Sequence, residues 1–129
     1  MNTTLQVKDC VKFILQHRRG KAFQDWSIPE IIVRISKGIH DNTFCYCSEN
    51  GTITGIMLGE LRGSKFHISN MLSTRNHIHD FFTFIANTQP HITHITAIRH
   101  GRFNVEFDAT GRNYLRFILG SLVFMKGTK

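Results

Sequence analysis

Apolar positions recur first at a helical spacing, then at a strand spacing, and afterwards at the two in alternation. "TTLQVKD" reads as a short first strand. Asp9 follows as the N-cap of a helix that carries Val11, Ile14 and Leu15 on one side and stops at Gly20. The cationic run His17 to Lys21 suits the negative end of that helix. In "SIPE", Ser27 is an N-cap, Pro29 sits in the first turn and Glu30 stands three residues after the cap, a capping-box pattern. Ile28, Ile31, Ile32, Ile35 and Ile39 then recur at helical spacing, so the pattern predicts a second helix ending near Gly38 to Asn42.

From Thr43 the period becomes that of strands. "TFCYCS" and "TITGIMLGEL" are joined by Glu49-Asn50-Gly51, where Asn-Gly supplies the positive φ angles of a tight hairpin. Arg62-Gly63-Ser64 is a second turn, leading into "KFHISNML". Ser73 is then the expected cap of a helix with Ile78, Phe81, Phe82 and Ile85 on one face and His79, Asp80 and Thr83 towards solvent, stopped by Pro90. "ITHITAIR" and "RFNVEFD" read as strands about an "HG" turn, Ala109 to Leu119 as a last helix ended by Gly120, and "SLVFM" as a final strand. The predicted order is β-α-α-β-β-β-α-β-β-α-β: an α+β fold with helices flanking a mostly antiparallel central sheet. With no repeat, low-complexity tract or linker, residues 1–129 are expected to form one domain.

Composition fits that picture. A chain of 129 residues, 41% hydrophobic with eleven Phe, has material for one core. No apolar run approaches the ~20 residues of a membrane span, and the N-terminus has no signal-like h-region. The expectation is a soluble cytoplasmic protein with no membrane partner. Three cysteines cannot all pair, and Cys45 and Cys47 would share a strand face at about the 6.8 Å limit for a disulfide. They are expected as reduced thiols, and with Cys10 in another element no metal site is expected. The net charge of +7 would attract polyanions, acidic proteins or phosphorylated cofactors, although "HRRGK" is the one basic cluster.

His77-Ile78-His79 matches the His-hydrophobic-His pair of nickases that cut single-stranded DNA with a tyrosine, for which Tyr114 could serve. The helical stripe around it, however, sets the two histidines about 200° apart. His91 and His94 lie in a β-branched stretch and read as sheet-surface residues. No serine-hydrolase elbow, zincin, Walker A or dinucleotide fingerprint is present. What remains is the strand-to-helix join "SNMLSTRN". Interrupted near Asn70, it would offer free amides there to a carbonyl and those of Ser73 to His77 to a pyrophosphate, with Arg75 adding charge.

In this arrangement the chain resembles a small, divergent member of the GNAT superfamily, the acyl-CoA-dependent N-acyltransferases, and is most similar to short GNAT-like proteins of tailed bacteriophages. The residues carrying the resemblance are the "NGTITGIMLGEL" hairpin, "KFHISNML" in place of the central strand, the following helix, and "GRNYLRFILGSLVF". The resemblance implies a V-shaped gap beside the central strand that takes acetyl-CoA or another acyl-CoA. Asn70, Met71 and Leu72 would lie along the pantetheine arm, with Ser73, Thr74, Arg75 and Asn76 at the pyrophosphate. Glu60 would be the base that deprotonates an amine substrate and Tyr114 the acid for the departing thiolate. It equally admits a non-catalytic relative, in a virion or the host cytoplasm, that binds phage or host proteins. A third class is a basic nucleic-acid-binding protein. From Arg75 the sequence reads "RNHIHD", without the glycines of the family's pyrophosphate loop.

Overall fold

The structure, a computed structural model, describes residues 3–18, 22–99, 103–108, 113–116 and 123–125. Two helices lead: α1 (Thr3–His17) and α2 (Ile28–Asp41). They are followed by β1 (Phe44–Glu49), β2 (Thr52–Arg62), β3 (Lys65–Ser73), α3 (Ile78–Thr88), β4 (His94–Arg99), β5 (Phe103–Asp108), β6 (Asn113–Arg116) and β7 (Val123–Met125). The strands form one mixed sheet in sequence order, with β3 and β4 parallel and the other neighbours antiparallel. The α+β class and the mostly antiparallel sheet are as expected.

Each face of the sheet is covered by the helices that local pattern supplies. On one side Val7, Cys10, Val11 and Ile14 of α1 and Ile31 and Ile35 of α2 meet Phe44, Ile56, Leu58 and Leu72. On the other, Phe81 and Ile85 of α3 meet Met57, Phe66, Ile68 and Ile95. The α2 start is the one the capping pattern predicts, with the Glu30 amide donating to Ser27 Oγ at 3.3 Å. The β1–β2 hairpin turns on Asn50 and Gly51 at φ 53° and 80°.

Three elements differ from expectation. The predicted first strand belongs to α1, because Val7 joins Cys10, Val11 and Ile14 in a stripe at i, i+3, i+4 and i+7 that is buried as a unit. Asp9 is therefore inside the helix and not its cap. The predicted last helix is also replaced: Asn113–Arg116 is strand, laddered on β5 from Asn104↔Arg116 to Phe107↔Asn113, so the open edge of β5 overrides the local helical pattern. The rest of that predicted helix, 109–112 and 117–119, lies outside the described residues. Finally, Ser73 does not cap α3. It is still paired to Gly55 as the last residue of β3, and the helix begins five residues later.

In the basic cluster, Arg18 is bound to the carbonyls of Phe23 and Trp26, at 3.3 and 2.9 Å, and fastens the α1–α2 loop. Residues 19–21 lie outside the described residues. None of the helices, among the described residues, is long and apolar enough to cross a membrane.

Candidate functional site

The site starts from a fork in the sheet. Register between β2 and β3 slips once, where Leu58 faces Asn70 but Gly59 faces Ile68, so Ser69 is an extra residue and its hydroxyl donates to the Leu58 carbonyl at 3.0 Å. On the other side of β3, pairing with β4 ends at Ile68↔Ala97, although β3 runs on to Ser73 and β4 to Arg99. The strands therefore part at the bulge. Beyond it the phase of the ladder is set by the Thr74 amide, which donates to the Thr54 carbonyl at 2.9 Å. Antiparallel alternation then turns the backbone groups of Asn70 and Leu72 towards β2 and those of Met71 and Ser73 towards the opened edge.

At the vertex of the fork, one rung crosses five strands: Glu60, His67, Thr96, Glu106 and Tyr114. His67 is buried, and its Nδ1 lies 2.8 Å from Thr96 Oγ1 on the neighbouring parallel strand. Burial, helped by Arg62, holds this imidazole below its ordinary pKa against a smaller opposing pull from Glu60. Glu60 is exposed and forms an ion pair with Arg62 at 3.4 Å. Beside it an open groove of about 550 Å³ runs to α2, with Trp26, Arg34, Lys37, Asp41 and Ser69 among its lining residues. Sequence reasoning missed His67, which as one histidine of eight in a strand carries no local sign of burial.

Tyr114 shares that rung from β6, four strand spacings away, so its backbone lies about 19 Å from that of Glu60. The other residues singled out in the sequence are spread along the fork and the turn after it. The side chain of Asn70 accepts the Phe23 amide at 2.8 Å, Leu72 is buried in the core, and Met71 is exposed on the opened edge. Arg75 is ion-paired with Glu49, and Asn76 Oδ1 accepts the Ile78 amide at 3.0 Å at the start of α3. The Thr74 bond already occupies one amide of the join, and the Asn76 bond occupies the first amide of α3.

His77 is the N-cap of α3 and is buried, whereas His79 is exposed, so the pair diverges as its helical setting requires. The His77 ring reaches Thr54 Oγ1 at 2.7 Å through Nε2 and Asp80 Oδ2 at 3.1 Å through Nδ1. Cys47 of β1 completes a group whose ligand atoms all lie within 4.8 Å of one another. Cys47 stands 30 positions before His77 in sequence, which hides its place in the grouping from any spacing rule. All three cysteines are free. Burial pushes the Cys10 and Cys45 thiols up to about 12, and raises Cys47 too, with Asp80 and Glu49 adding to the shift.

No family model matches the sequence, and no curated protein matches it. Among solved structures the fold is similar to GphF, a GNAT-like decarboxylase in complex with isobutyryl-CoA, with a TM-score of 0.52 at 12% identity. The fold is GNAT-like. The match covers 70% of this chain and 60% of the decarboxylase, so this chain corresponds to less than two thirds of that protein. At 12% identity the likeness carries the fold alone.

Proposed function

We propose that this protein binds an acyl-CoA in the fork between β3 and β4 and transfers the acyl group to an amine. The observation that carries the reading is the divergence of the two parallel strands at Ile68↔Ala97, which leaves the Met71 and Ser73 backbone facing an opened edge. An extended pantetheine arm has amides that can add to such an edge as a further strand would. A likeness in fold to a protein solved with isobutyryl-CoA supports it.

In this reading the thioester sits at the vertex and the amine arrives along the groove beside Glu60. Glu60, directly or through a water, takes the proton from the amine. The nitrogen attacks the thioester carbonyl, the C–S bond breaks, and the departing thiolate takes a proton from water in the open fork. His67, whose burial favours the neutral ring, stands on the rung between Glu60 and Thr96 and is a positioning residue that fixes the vertex. The acid in this reading is water, and Tyr114, whose backbone stands two strand spacings beyond that of Thr96, is tested by substitution. Tyr114→Phe should then leave turnover within about twofold, whereas a loss of about a hundredfold, the scale of general acid catalysis, would restore Tyr114 to that role.

Thermal denaturation with acetyl-CoA and with coenzyme A tests the reading. A ligand at a hundred times its dissociation constant adds about 2.7 kcal/mol, which is a clear shift for a domain this size. No shift with either compound at millimolar concentration would end the proposal. The second reading, a non-catalytic relative that uses the scaffold to bind phage or host proteins, would then stand. It is favoured by the occupied amides of Thr74 and Ile78 and by the absence of glycine from Arg75 to Asp80.

A further inference from the structure

On the α3 face of the sheet, one rung carries Cys47, Gly55 and Ser73 on three adjacent strands. Gly55, in the middle, leaves space for the His77 ring: a Cβ there would lie 2.7 Å from His77 Cδ2. The ring therefore lies against the sheet beside Cys47, with Asp80 one turn further along α3. Of these residues only Ser73, through its backbone, enters the acyl-transfer reading.

The His77 ring is held at both nitrogens, with Thr54 Oγ1 2.7 Å from Nε2 and Asp80 Oδ2 3.1 Å from Nδ1. Thr54 Oγ1 also lies 3.4 Å from the Cys47 carbonyl, so when it accepts from Nε2–H its own hydrogen still has a partner and Nδ1 is left with its lone pair towards Asp80. The sulfur of Cys47 stands beside these two atoms, and a thiolate, an imidazole and a carboxylate are the donor set of a borderline divalent metal.

We propose that Cys47 Sγ, His77 Nδ1 and Asp80 Oδ2 form a three-ligand site for a zinc-class divalent cation, with Thr54 as the outer partner that orients the imidazole. Zinc bonds of about 2.0 Å to nitrogen and oxygen and about 2.3 Å to sulfur place tetrahedral ligand atoms roughly 3.3–3.6 Å apart. The His77–Asp80 distance of 3.1 Å is close to that, and metal binding requires the 4.8 Å outer limit to close by roughly 1.2–1.5 Å, through movement of side chains such as that of half-buried Cys47. Binding breaks the S–H bond, forms the metal–sulfur bond and releases the proton to solvent. Three protein ligands leave a fourth position for water or an exogenous donor.

Cobalt(II), a coloured stand-in for zinc, tests the site on the reduced full chain. Cobalt bound by Cys47 should give a thiolate-to-metal charge-transfer band in the near ultraviolet that zinc then bleaches. The band should persist in Cys45→Ala and vanish in Cys47→Ala. Asp80→Asn, at an exposed position, should weaken cobalt binding by about tenfold or more, and Thr54→Val by about 10–100-fold, the usual effect of losing an outer partner. Absence of the band at millimolar cobalt, or its survival in Cys47→Ala, would overturn the proposal. Binding by exposed histidines gives no sulfur band and so counts against the site.

Discussion

His67 of β3 and Thr96 of β4 are joined by a 2.8 Å hydrogen bond one rung before their strands separate. The bond ties the vertex of the fork, and its histidine is only 7% exposed. Thr96→Val keeps the shape and removes the partner, leaving a buried ring nitrogen unsatisfied. The expected cost is about 1–3 kcal/mol, read as a lower denaturation midpoint at unchanged denaturant slope. An unchanged midpoint would show that the bond does not hold the vertex.

The same histidine should make stability fall in acid. Burial and Arg62 lower its folded pKa below the ordinary 6.5, so the unfolded chain binds a proton that the folded chain resists. Its contribution is intact above pH 6.5 and is lost as pH falls below that value and through the lower folded pKa. His67→Asn, which retains a polar atom near Nδ1 and cannot titrate, should flatten the dependence of unfolding free energy on pH below 6.5 relative to wild type. Equal slopes in the two proteins would contradict the assignment.

Gly55 predicts a different failure. Its missing Cβ is the space occupied by His77, with Ser73 Oγ at 3.0 Å and Phe81 Cζ at 3.2 Å also close. Gly55→Ala should displace the His77 ring and cost about 1–3 kcal/mol as an overpacked site, despite the gain in backbone propensity. A variant as stable as wild type would mean the α3 start shifts freely over the sheet.

Asn70 lies where the resemblance places cofactor, yet its side chain is bound within the protein. Asn70 Oδ1 accepts the Phe23 amide at 2.8 Å, and Phe23 is fully buried at a φ of 56°, which a bulky residue adopts only when held. Asn70→Ala should therefore lower stability by about 1–3 kcal/mol. If acyl-CoA binds, its dissociation constant should change by less than about threefold, within the usual tolerance for a residue that makes no contact with it. Normal stability with lost binding would transfer Asn70 from the scaffold to the ligand.

What was legible in the sequence was local. Ser27 and Glu30 mark the α2 start, Asn50-Gly51 marks the hairpin, and the Ile78 to Ile85 stripe marks α3, because each is decided by neighbours within a turn or two. The first strand misread as such had only two alternating apolar positions, Leu5 and Val7, against a longer helical stripe from Val7 to Ile14. Asn113 to Arg116 became strand because β5 lies beside them, which no local pattern states. The site is less legible still. Nothing in "HISNML" marks Ser69 as an extra residue, and the meeting of Cys47, Thr54 and His77 exists only once two strands and a helix are assembled.

The fork itself can be tested at Met71, because the ladder phase separates its structural role from its binding role. Asn70 and Leu72 give their backbone groups to β2, while the Met71 amide points to the opened edge and its side chain is 40% exposed. Proline at 71 removes that one N–H without removing a β2–β3 bond, a position at which strands tolerate proline. Met71→Pro should keep the cooperative unfolding of the wild type and lose the thermal shift with acetyl-CoA. Leu72→Pro, one residue on, breaks a ladder bond inside the core and should lower stability by about 3 kcal/mol or more. Should Met71→Pro retain the full acetyl-CoA shift, the ligand does not pair with that strand edge and the fork is not its seat.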